Sequence, residues 1–345
     1  MKENFSKYII VGAGLSGLTS AYKLSNKGET SFTVLESRDR IGGRIVTRDR
    51  IDYGATWFQT HHQEVIALLD ELGVEKYHQY NKGKSVLVYS TMAPEHYFEN
   101  DPNTPSAYRI KGNSQALIQA LAKPVLDKIQ VGTNVLSITE IEDGVRVETD
   151  KGIFYSKKVI VTIPPKIATR ISFSPELPVE VGAVMDKTHT WMSNAIKVGL
   201  TFKEPFWRKK DFSGMVIGQV GAVTELYDHN DSENQYYALM GFVNEGLRDT
   251  SAENRKQRIL DYLSKYLGAE TLDYLTYEEK DWSQDWHTSC ETIKSVYMSP
   301  SYGNTVFDKN YMNGKLRFSG AETSPVHGGY MDGAIYTGIK TIEKL

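Results

Sequence analysis

Cysteine is almost absent from this sequence, which carries a single one, Cys290, among its 345 residues. One thiol can neither close a disulfide within the chain nor build a cysteine-based metal centre, so we expect a reducing compartment and no metal site. Apolar runs are also short, and none approaches the roughly 18 residues that a membrane-spanning helix needs. The polar start leads directly into a structured motif without the apolar stretch of a signal peptide. These absences predict a cytoplasmic protein without a membrane anchor.

A charge excess is missing as well, because 40 basic residues are matched by 43 acidic ones and the net charge is only −3. The basic residues are dispersed, which argues against a nucleic-acid-binding surface. With 40% apolar and 11% aromatic residues, the composition is that of an ordinary globular protein. A chain of this length exceeds one simple core and therefore predicts two domains.

Hydrophobic periodicity places strands and helices along the chain. An apolar strand at residues 8–11 precedes apolar residues at helical spacing, whereas residues 74–110 combine prolines with polar residues and are expected to be irregular. Turn sequences such as Asp143-Gly144 divide residues 129–163 into a β-meander. The other predicted elements are strands at 31–35, 190–202 and 316–319, and helices at 63–72, 114–121 and 252–267, the first and last of these helices closed by Gly73 and Gly268.

A glycine motif follows the first strand, where Gly12, Gly14 and Gly17 form G-x-G-x-x-G around Ser16. Alone this motif is weak, but a strand precedes it, a helix follows it, and Glu36 ends the next strand about 20 residues later. Gly12 would allow a tight turn, Gly14 would let a pyrophosphate approach the helix N-terminus, and Gly17 would allow close packing. Glu36 would bind a ribose diol and repel a 2′-phosphate, which argues against NADP. A glycine-rich turn without a ligand is the alternative.

Two further motifs follow the second predicted strand. Glu36 begins the run E-x-R-x-R-x-G-G-R, which ends at Arg44, and residues 52–57 are D-Y-G-A-T-W. Paired glycines beside arginines offer another place where backbone and guanidinium groups can meet phosphate. With these motifs the chain resembles the flavin-containing amine oxidases, in which the glutamate holds the adenosine ribose, the arginines border the pyrophosphate and the later glycines face the flavin. The resemblance implies FAD as the cofactor.

The same family closes its FAD site with a C-terminal strand, a Gly-x-Glu sequence and a helix whose N-terminus points at the flavin. Residues 320–323 and 328–333 match this order and surround Tyr330 with glycines. A bare backbone there would let the helix N-terminus stabilise the negative charge that develops on reduction. A glycine-rich surface loop before an ordinary terminal helix is the alternative. The cofactor-binding residues implied by the resemblance are Gly12, Gly14, Ser16, Gly17, Glu36, Arg38, Gly43, Arg44, Gly54, Ala55, Thr56, Trp57, Val135, Trp282, Gly320, Glu322, Tyr330 and Met331.

A segment in mid-chain, K-E-P-F-W-R-K-K-D at residues 203–211, closely resembles the monoamine oxidases of animals. Lys197 precedes it on a strand where it alternates with apolar residues, so its side chain shares a face with small or polar ones. A lone lysine on a strand usually faces solvent, but in the family this lysine holds a water at the reactive nitrogen of the flavin. The resemblance makes Lys197 and Tyr330, one wall of an aromatic cage, the expected catalytic residues.

The resemblance also implies the oxidation of an amine. The cage would align a neutral amine so that its α-carbon gives a hydride to FAD. Water would convert the imine to an aldehyde and ammonia or a smaller amine, and dioxygen would take the electrons and become hydrogen peroxide. The sequence leaves open which amine is oxidised, the physiological electron acceptor and the oligomeric state.

The chain departs from the monoamine oxidase pattern at the Cys-Tyr pair that bonds the flavin and completes the cage. An ungapped count from Trp282 places Glu291 and Thr292 there, with Cys290 one residue before them, which turns its side chain to the other face of a strand. We therefore expect FAD to be bound non-covalently. The candidates for the missing wall are Trp286, Tyr297 and Trp57. Residues 74–110 are also shorter than the corresponding region, which predicts a pocket that is shallower, more open or completed by another subunit.

The expected fold is α/β, with a discontinuous Rossmann-like FAD-binding domain and an α+β substrate domain that has a mixed or antiparallel sheet. The first domain would comprise residues 1–77, 110–185 and 285–345, and the second residues 78–109 and 186–284. Carotenoid-type desaturases, protoporphyrinogen oxidase and sugar-ring mutases fit the glycine motifs equally well, and an inactive flavin-binding interaction module is a further alternative. A nicotinamide dehydrogenase is disfavoured because the sequence has no second nucleotide fingerprint.

Overall fold

The computed structural model describes residues 4–90, 92–101, 107–289 and 301–345, and most of its strands form two large sheets. The strands are, in chain order, β1 (Phe5–Val11), β2 (Phe32–Leu35), β3 (Thr47–Arg48), β4 (Ile51–Asp52), β5 (Lys76–His78), β6 (Lys84–Val88), β7 (His96–Glu99), β8 (Tyr108–Ile110), β9 (Ile129–Gln130), β10 (Val135–Ile141), β11 (Gly144–Thr149), β12 (Gly152–Val161), β13 (Ser172–Ser174), β14 (Ile196–Phe202), β15 (Phe212–Gly218), β16 (Val223–Asp228), β17 (Tyr237–Val243), β18 (Thr276–Asp281), β19 (Asn310–Tyr311) and β20 (Leu316–Phe318). The α-helices are α1 (Leu15–Asn26), α2 (Gln63–Leu72), α3 (Ser114–Ala122), α4 (Pro165–Ala168), α5 (Val179–Lys187), α6 (Phe206–Lys209), α7 (Ala252–Leu267) and α8 (Met331–Glu343).

The first sheet contains strands from both ends of the chain. Its order is β13-β10-β11-β12-β1-β2-β9, and β20 pairs with the last residues of β12. Because β1, β2, β12 and β20 are mutually parallel, the glycine motifs that follow β1 and β20 leave the sheet at the same edge. This is the edge at which open parallel sheets bind nucleotides.

Both faces of the first sheet are covered, as β1 shows. Ile10 packs into a core with α1, α3 and α8, whereas Ile9 and Val11 pack into a second core that includes side chains of β10, β11 and β12. All three side chains are buried. Successive side chains of a strand point to opposite faces, and a continuous apolar strand is typical of a parallel sheet buried on both sides.

The second sheet has the order β18-β14-β17-β16-β15-β6-β7 and is antiparallel except where β6 runs parallel to β15. Helix α7 covers one face, where Ile259 and Leu263 belong to the same buried cluster as Val198 and Leu200 of β14. The predicted fold class, a Rossmann-like α/β unit with a second mixed sheet, is therefore confirmed. The residue limits of the two domains stay a prediction.

The prediction that residues 74–110 are irregular is wrong. The described part of this range forms β5 to β8, of which β6 and β7 extend the second sheet and β5 pairs with β8. Strand β7 is short and largely exposed, so its sequence lacks the apolar alternation that would reveal a strand. Strand β7 forms because it pairs with β6, and the sequence of β7 alone does not show that partner.

The strand predicted at residues 190–202 begins only at Ile196. Before it, the Thr190 hydroxyl donates a hydrogen bond to Glu322 over 2.9 Å, and the Trp191 N–H donates to the hydroxyl of Tyr302 over 2.7 Å. These contacts bind the preceding segment to the C-terminal part of the chain instead of to the sheet. The strand is shorter because its first half has tertiary partners.

Two helices match their predicted bounds, Gln63–Leu72 and Ala252–Leu267. Gly73 ends the first in the left-handed region at φ 66°, which glycine adopts without steric cost. Ser251 begins the second by accepting a hydrogen bond from the Asn254 N–H. Within the described residues, no helix combines the length and apolar composition that a bilayer crossing requires.

Candidate active site

A long cavity is lined by residues from both sheets and from both ends of the chain. It has about 1560 Å³ of space that no protein atom fills, part of which is open to solvent. The loop after β1 contributes Gly14, the end of β2 contributes Glu36, β14 contributes Lys197, and the start of α8 contributes Met331. The fold thus brings together residues that lie far apart in the sequence.

Helix α1 begins at the cavity with no side chain capping its N-terminus. A Cβ on Gly17 would lie 2.0 Å from the Gly12 carbonyl oxygen, and a Cβ on Gly43 would lie 3.2 Å from the Gly14 Cα. Glycine is therefore required for the helix and the following loop to approach the β1 turn. The result is a bare backbone concavity at the positive end of a helix, which suits a pyrophosphate.

Glu36 is a buried carboxylate that lines the cavity, with an exposed fraction of 3%. One of its oxygens accepts a hydrogen bond from the Ala13 N–H at 2.8 Å, and the other accepts from the Arg38 N–H at 2.9 Å. Two backbone donors thus fix the orientation of the carboxylate while part of it faces the cavity. This geometry fits a hydrogen-bond acceptor for a ribose diol.

The two predicted arginines line the cavity but also have protein partners. Arg38 donates to Asp285 at 2.7 Å and to the Thr288 hydroxyl at 2.9 Å. Arg44 forms a bidentate ion pair with Glu322, with nitrogen–oxygen distances of 2.6 and 3.0 Å. The second pair joins the N-terminal motif to the C-terminal Gly-x-Glu. A planar fork geometry holds both groups in a fixed orientation.

Lys197 is almost completely buried, with an exposed fraction of 4%. Its ammonium nitrogen donates hydrogen bonds to the Gly54 carbonyl at 2.6 Å, to the Thr56 hydroxyl at 2.9 Å and to a third oxygen at 3.2 Å. The rings of Trp57 and Phe242 lie 5.1 and 4.9 Å from it. Burial lowers the pKa of this lysine from 10.5 to about 7, although a nearby carboxylate, Asp52, opposes the shift.

The alternation of residues along β14 predicts that Lys197 and Gly199 share a face of the strand. It does not predict which segment of the chain packs on that face. A Cβ on Gly199 would lie 2.6 Å from the Tyr53 hydroxyl and 2.8 Å from a methyl carbon of Ile51. The segment from β4 to Trp57 therefore packs directly on this face, and only a small neighbour lets it approach. As a result the lysine ends in the cavity instead of in solvent.

Tyr330 stands at the N-terminus of α8 and is 43% exposed. Its ring meets the ring of Trp191 edge to face with 5.2 Å between the centroids, and both residues line the cavity. Trp191 was not among the predicted site residues, because it lies before β14 and reaches the cavity only through tertiary contacts. It provides an aromatic wall next to Tyr330.

The candidates for a second cage wall have different positions. Trp57 lines the cavity beside Lys197. Trp286 does not line it: the side chain is 62% exposed, and the guanidinium of Arg170 lies 3.9 Å from its ring centre. The other positions concerned, Cys290, Glu291, Thr292 and Tyr297, lie outside the described residues.

Four of the predicted cofactor-binding residues are not among those that line the cavity: Gly17, Val135, Gly320 and Glu322. Gly17 contacts the β1 turn, and Glu322 holds Arg44 in place. Val135 is packed into the core of the first sheet beside the cavity-lining Asn134. Their assignments stay predictions, and for Gly17 and Glu322 the structure favours a supporting role.

Known proteins with similar sequences also point to a flavin-binding protein. The family profile described as "Flavin containing amine oxidoreductase" matches residues 15–92 and 86–341. The chain belongs to this family. The prediction that FAD is the cofactor is thereby confirmed, because the family is flavin-containing and its related monoamine oxidases carry flavin.

This amine oxidoreductase is similar to several named enzymes. Probable flavin-containing monoamine oxidase A of Dictyostelium discoideum is 25% identical, with 98% of this chain and 96% of that protein aligned. Putrescine oxidase of Kocuria rosea is 25% identical over 81% of this chain and 82% of its own length. Among solved structures, putrescine oxidase bound to putrescine has a TM-score of 0.86 at 23% identity and covers 99% of this chain and 98% of its own. That likeness supports the fold.

The amine oxidoreductase is shorter than these relatives. Its alignment with the Dictyostelium protein runs over 448 positions, whereas the chain has 345 residues. More than a hundred positions of the relative therefore have no counterpart here. That the shortening lies between residues 74 and 110 stays a prediction.

Proposed function

We propose that this amine oxidoreductase oxidises an amine at its α-carbon with dioxygen as the acceptor. The amine loses a hydride and a proton to become an imine, water converts the imine to an aldehyde and ammonia or a smaller amine, and dioxygen becomes hydrogen peroxide. FAD, when bound, accepts the hydride and returns its electrons to dioxygen. The observation that supports this proposal most directly is the buried Lys197, held by residues 54–56 in the cavity that also contains Tyr330.

Different residues of the cavity would hold different parts of FAD. Glu36 would accept a hydrogen bond from the adenosine ribose, the uncapped N-terminus of α1 and Gly43 would hold the pyrophosphate, and residues 54–57 would face the flavin. Helix α8 begins at Met331 and directs its N-terminus into the same cavity, where a helix dipole stabilises negative charge. We assign non-covalent binding to this cofactor because the sequence offers no cysteine in the family register.

Tyr330 and Trp191 orient the substrate. Both rings line the cavity, and packing against them would align a bound amine with little loss of side-chain freedom. Apolar surroundings disfavour the ammonium form, so the substrate reacts as the neutral amine. Lys197, with its pKa near neutrality, can hold or release a proton within the same cavity.

A second cavity favours a substrate with two amino groups. It has about 1140 Å³ of space that no protein atom fills, part of it open to solvent, shares Trp57 with the first cavity, and is lined by Glu99, Asp101 and Glu225. Glu225 accepts a hydrogen bond from the Tyr227 hydroxyl at 3.0 Å, which orients it. A carboxylate-lined space beyond Trp57 would attract a distal ammonium group, and one of the relatives is a putrescine oxidase.

The reaction is tested by adding amines to the purified yellow protein without oxygen. Bleaching of the oxidised flavin band by an amine, followed by peroxide release when air is admitted, supports an amine oxidase. A failure of every amine to bleach the flavin would support a non-catalytic flavoprotein instead. Bleaching by a polyene or a porphyrinogen but by no amine would support the desaturase or porphyrinogen oxidase alternatives.

The substrate class is tested by comparing 1,4-diaminobutane with butylamine. We expect a higher kcat/KM for the diamine, and a loss of roughly tenfold in that preference in Glu225→Gln, the effect of removing one charged partner worth about 1.4 kcal/mol. Glu233→Gln changes an exposed carboxylate and is the control. Equal preference in wild type and Glu225→Gln would remove the diamine assignment and leave the oxidase proposal intact.

A further inference from the structure

Three histidines meet beside the aromatic wall of the active-site cavity. His61 and His62 stand directly before α2, and His327 lies in the loop that leads to α8. The ring centroids of His61 and His62 are 4.5 Å apart, those of His62 and His327 are 4.8 Å apart, and those of His61 and His327 are 5.2 Å apart. His61 and His62 are adjacent in the turn before α2, and both rings lie beside that of His327.

The possible ligand atoms of the cluster are close enough for one ion. One nitrogen from each ring lies within 4.8 Å of the others. Three nitrogens bound to one zinc ion at about 2.1 Å in a tetrahedron are about 3.4 Å apart, so binding would require the side chains to rotate and bring the nitrogens closer together. His61 is exposed and His62 is buried, which leaves the outer side of the site open to water as a fourth ligand.

Asp332 prepares His327 for such a role. Its carboxylate, which is 1% exposed, lies 2.6 Å from Nδ1 of His327 and accepts a hydrogen bond from the Val65 N–H at 3.0 Å through its other oxygen. A carboxylate behind one ring nitrogen fixes the tautomer and leaves Nε2 free as a ligand, which is the usual arrangement around metal-binding histidines. The buried negative charge also favours a cation nearby.

The ring of His62 is buried and already has a hydrogen-bond partner, with which a metal ion would compete. Its Nδ1 accepts a hydrogen bond from the Gln59 N–H at 3.2 Å. Binding a metal through either ring nitrogen removes the lone pair that accepts this bond, so we expect a reversible site of moderate affinity.

We infer that His61, His62 and His327, supported by Asp332, form a binding site for a divalent transition-metal ion of the zinc, copper or nickel type. Imidazole ligands select these ions over calcium and magnesium, which prefer oxygen. No local sequence pattern predicts this site, because two of its histidines lie near the N-terminus and the third lies near the C-terminus. The ring of His62 lies 5.3 Å from that of Tyr330, so the ion would bind next to the aromatic wall.

The test uses the flavin-loaded protein after removal of any histidine tag. Zinc is titrated by calorimetry, and the metal content is measured after dialysis against zinc. We expect one equivalent in the wild type and an affinity at least tenfold weaker in His61→Ala and in His327→Ala. His96→Ala, which removes an exposed histidine of β7, should bind as the wild type does. Copper bound to the wild type should show nitrogen couplings from imidazole in its electron paramagnetic resonance spectrum.

His61→Ala is the decisive variant, because an exposed side chain can be removed without disturbing the fold. Circular dichroism and the flavin spectrum confirm that each variant is folded. The site is refuted if the wild type binds no stoichiometric zinc, or if His61→Ala and His327→Ala bind zinc as tightly as the wild type. Both readouts are independent of amine oxidation, so failure of the site and failure of the oxidase proposal are distinguishable.

Discussion

Lys197 is a buried amine whose nitrogen lies within about 5 Å of the rings of Trp57 and Phe242. Its three hydrogen bonds fix its nitrogen in the cavity. We expect Lys197→Met to retain FAD but to slow reoxidation by dioxygen by roughly 10²-fold, the usual effect of losing one positioned charge or proton donor. Stopped-flow mixing of the reduced enzyme with oxygen measures this rate.

Lys203→Met is the matched control for that experiment, because Lys203 follows the same strand but is exposed. It should reoxidise at the wild-type rate. A Lys197→Met enzyme that reoxidises normally would exclude this lysine from the mechanism. If the Lys197→Met protein retained less FAD than the wild type, the lysine would mainly support cofactor binding.

The pKa of Lys197 also predicts how stability depends on pH. Between its folded value of about 7 and its ordinary value of 10.5, the unfolded chain binds a proton that the folded protein does not. The penalty for burying this amine is complete below pH 7 and disappears as the pH rises toward 10.5. Relative to Lys197→Met, the wild type should therefore gain up to about 1.4 kcal/mol of stability per pH unit in this window.

Urea denaturation of both proteins at pH 7, 8 and 9, with FAD in excess, measures this difference. The two stability profiles should converge or cross as the pH rises. Parallel profiles would mean that the lysine keeps an ordinary pKa in the folded state and is solvated within the cavity.

At the scale of elements, the contact between α1 and α8 depends on a glycine. A Cβ on Gly338 would lie 2.8 Å from the Ser16 carbonyl oxygen and 2.9 Å from the Thr19 Cβ. Gly338→Ala should therefore force the two helices apart and cost about 1–3 kcal/mol of stability, in the range of overpacked cores. Thermal or urea denaturation measures the loss.

Gly182→Ala is the control for Gly338→Ala, since Gly182 also lies in a helix, α5, but has no atom within 4 Å of an added Cβ. Alanine is the better helix former, so this change should stabilise the protein by about 0.5–1 kcal/mol. Opposite signs for the two substitutions would show that the helix contact, and not helix propensity, decides the outcome. Equal effects would contradict the close approach of α1 and α8.

The elements that could be predicted from the sequence are those whose signal is local. Helix α2 carries an apolar face and a closing glycine within eleven residues, and the turn after β1 carries its glycines in one motif. Strand β7 and Trp191 could not be predicted, because each depends on partners elsewhere in the chain. The histidine cluster belongs with them, since a turn and a distant loop bring its rings together.

At the scale of the whole molecule, the site closes where the two ends of the chain meet. Arg44 pairs with Glu322, the Ser16 hydroxyl lies 2.8 Å from that of Ser319, and β1 and β20 flank β12 in the first sheet. The cavity therefore exists only when the C-terminal third has returned to the N-terminal motif. A ligand bound in this cavity would therefore stabilise the contacts between the two ends of the chain.

Removal of FAD should consequently destabilise the entire protein. Because the unfolded chain has no such cavity, each tenfold rise in free FAD above its dissociation constant should add about 1.4 kcal/mol to the stability, and a hundredfold excess about 2.7 kcal/mol. Acid precipitation should leave the yellow colour in the supernatant, which shows non-covalent binding, and denaturation of the apoprotein with added FAD should then follow this dependence. Colour in the precipitate would show a covalent bond between protein and flavin. A denaturation midpoint that does not change with the FAD concentration would contradict the coupling between FAD binding and the contact of the two chain ends.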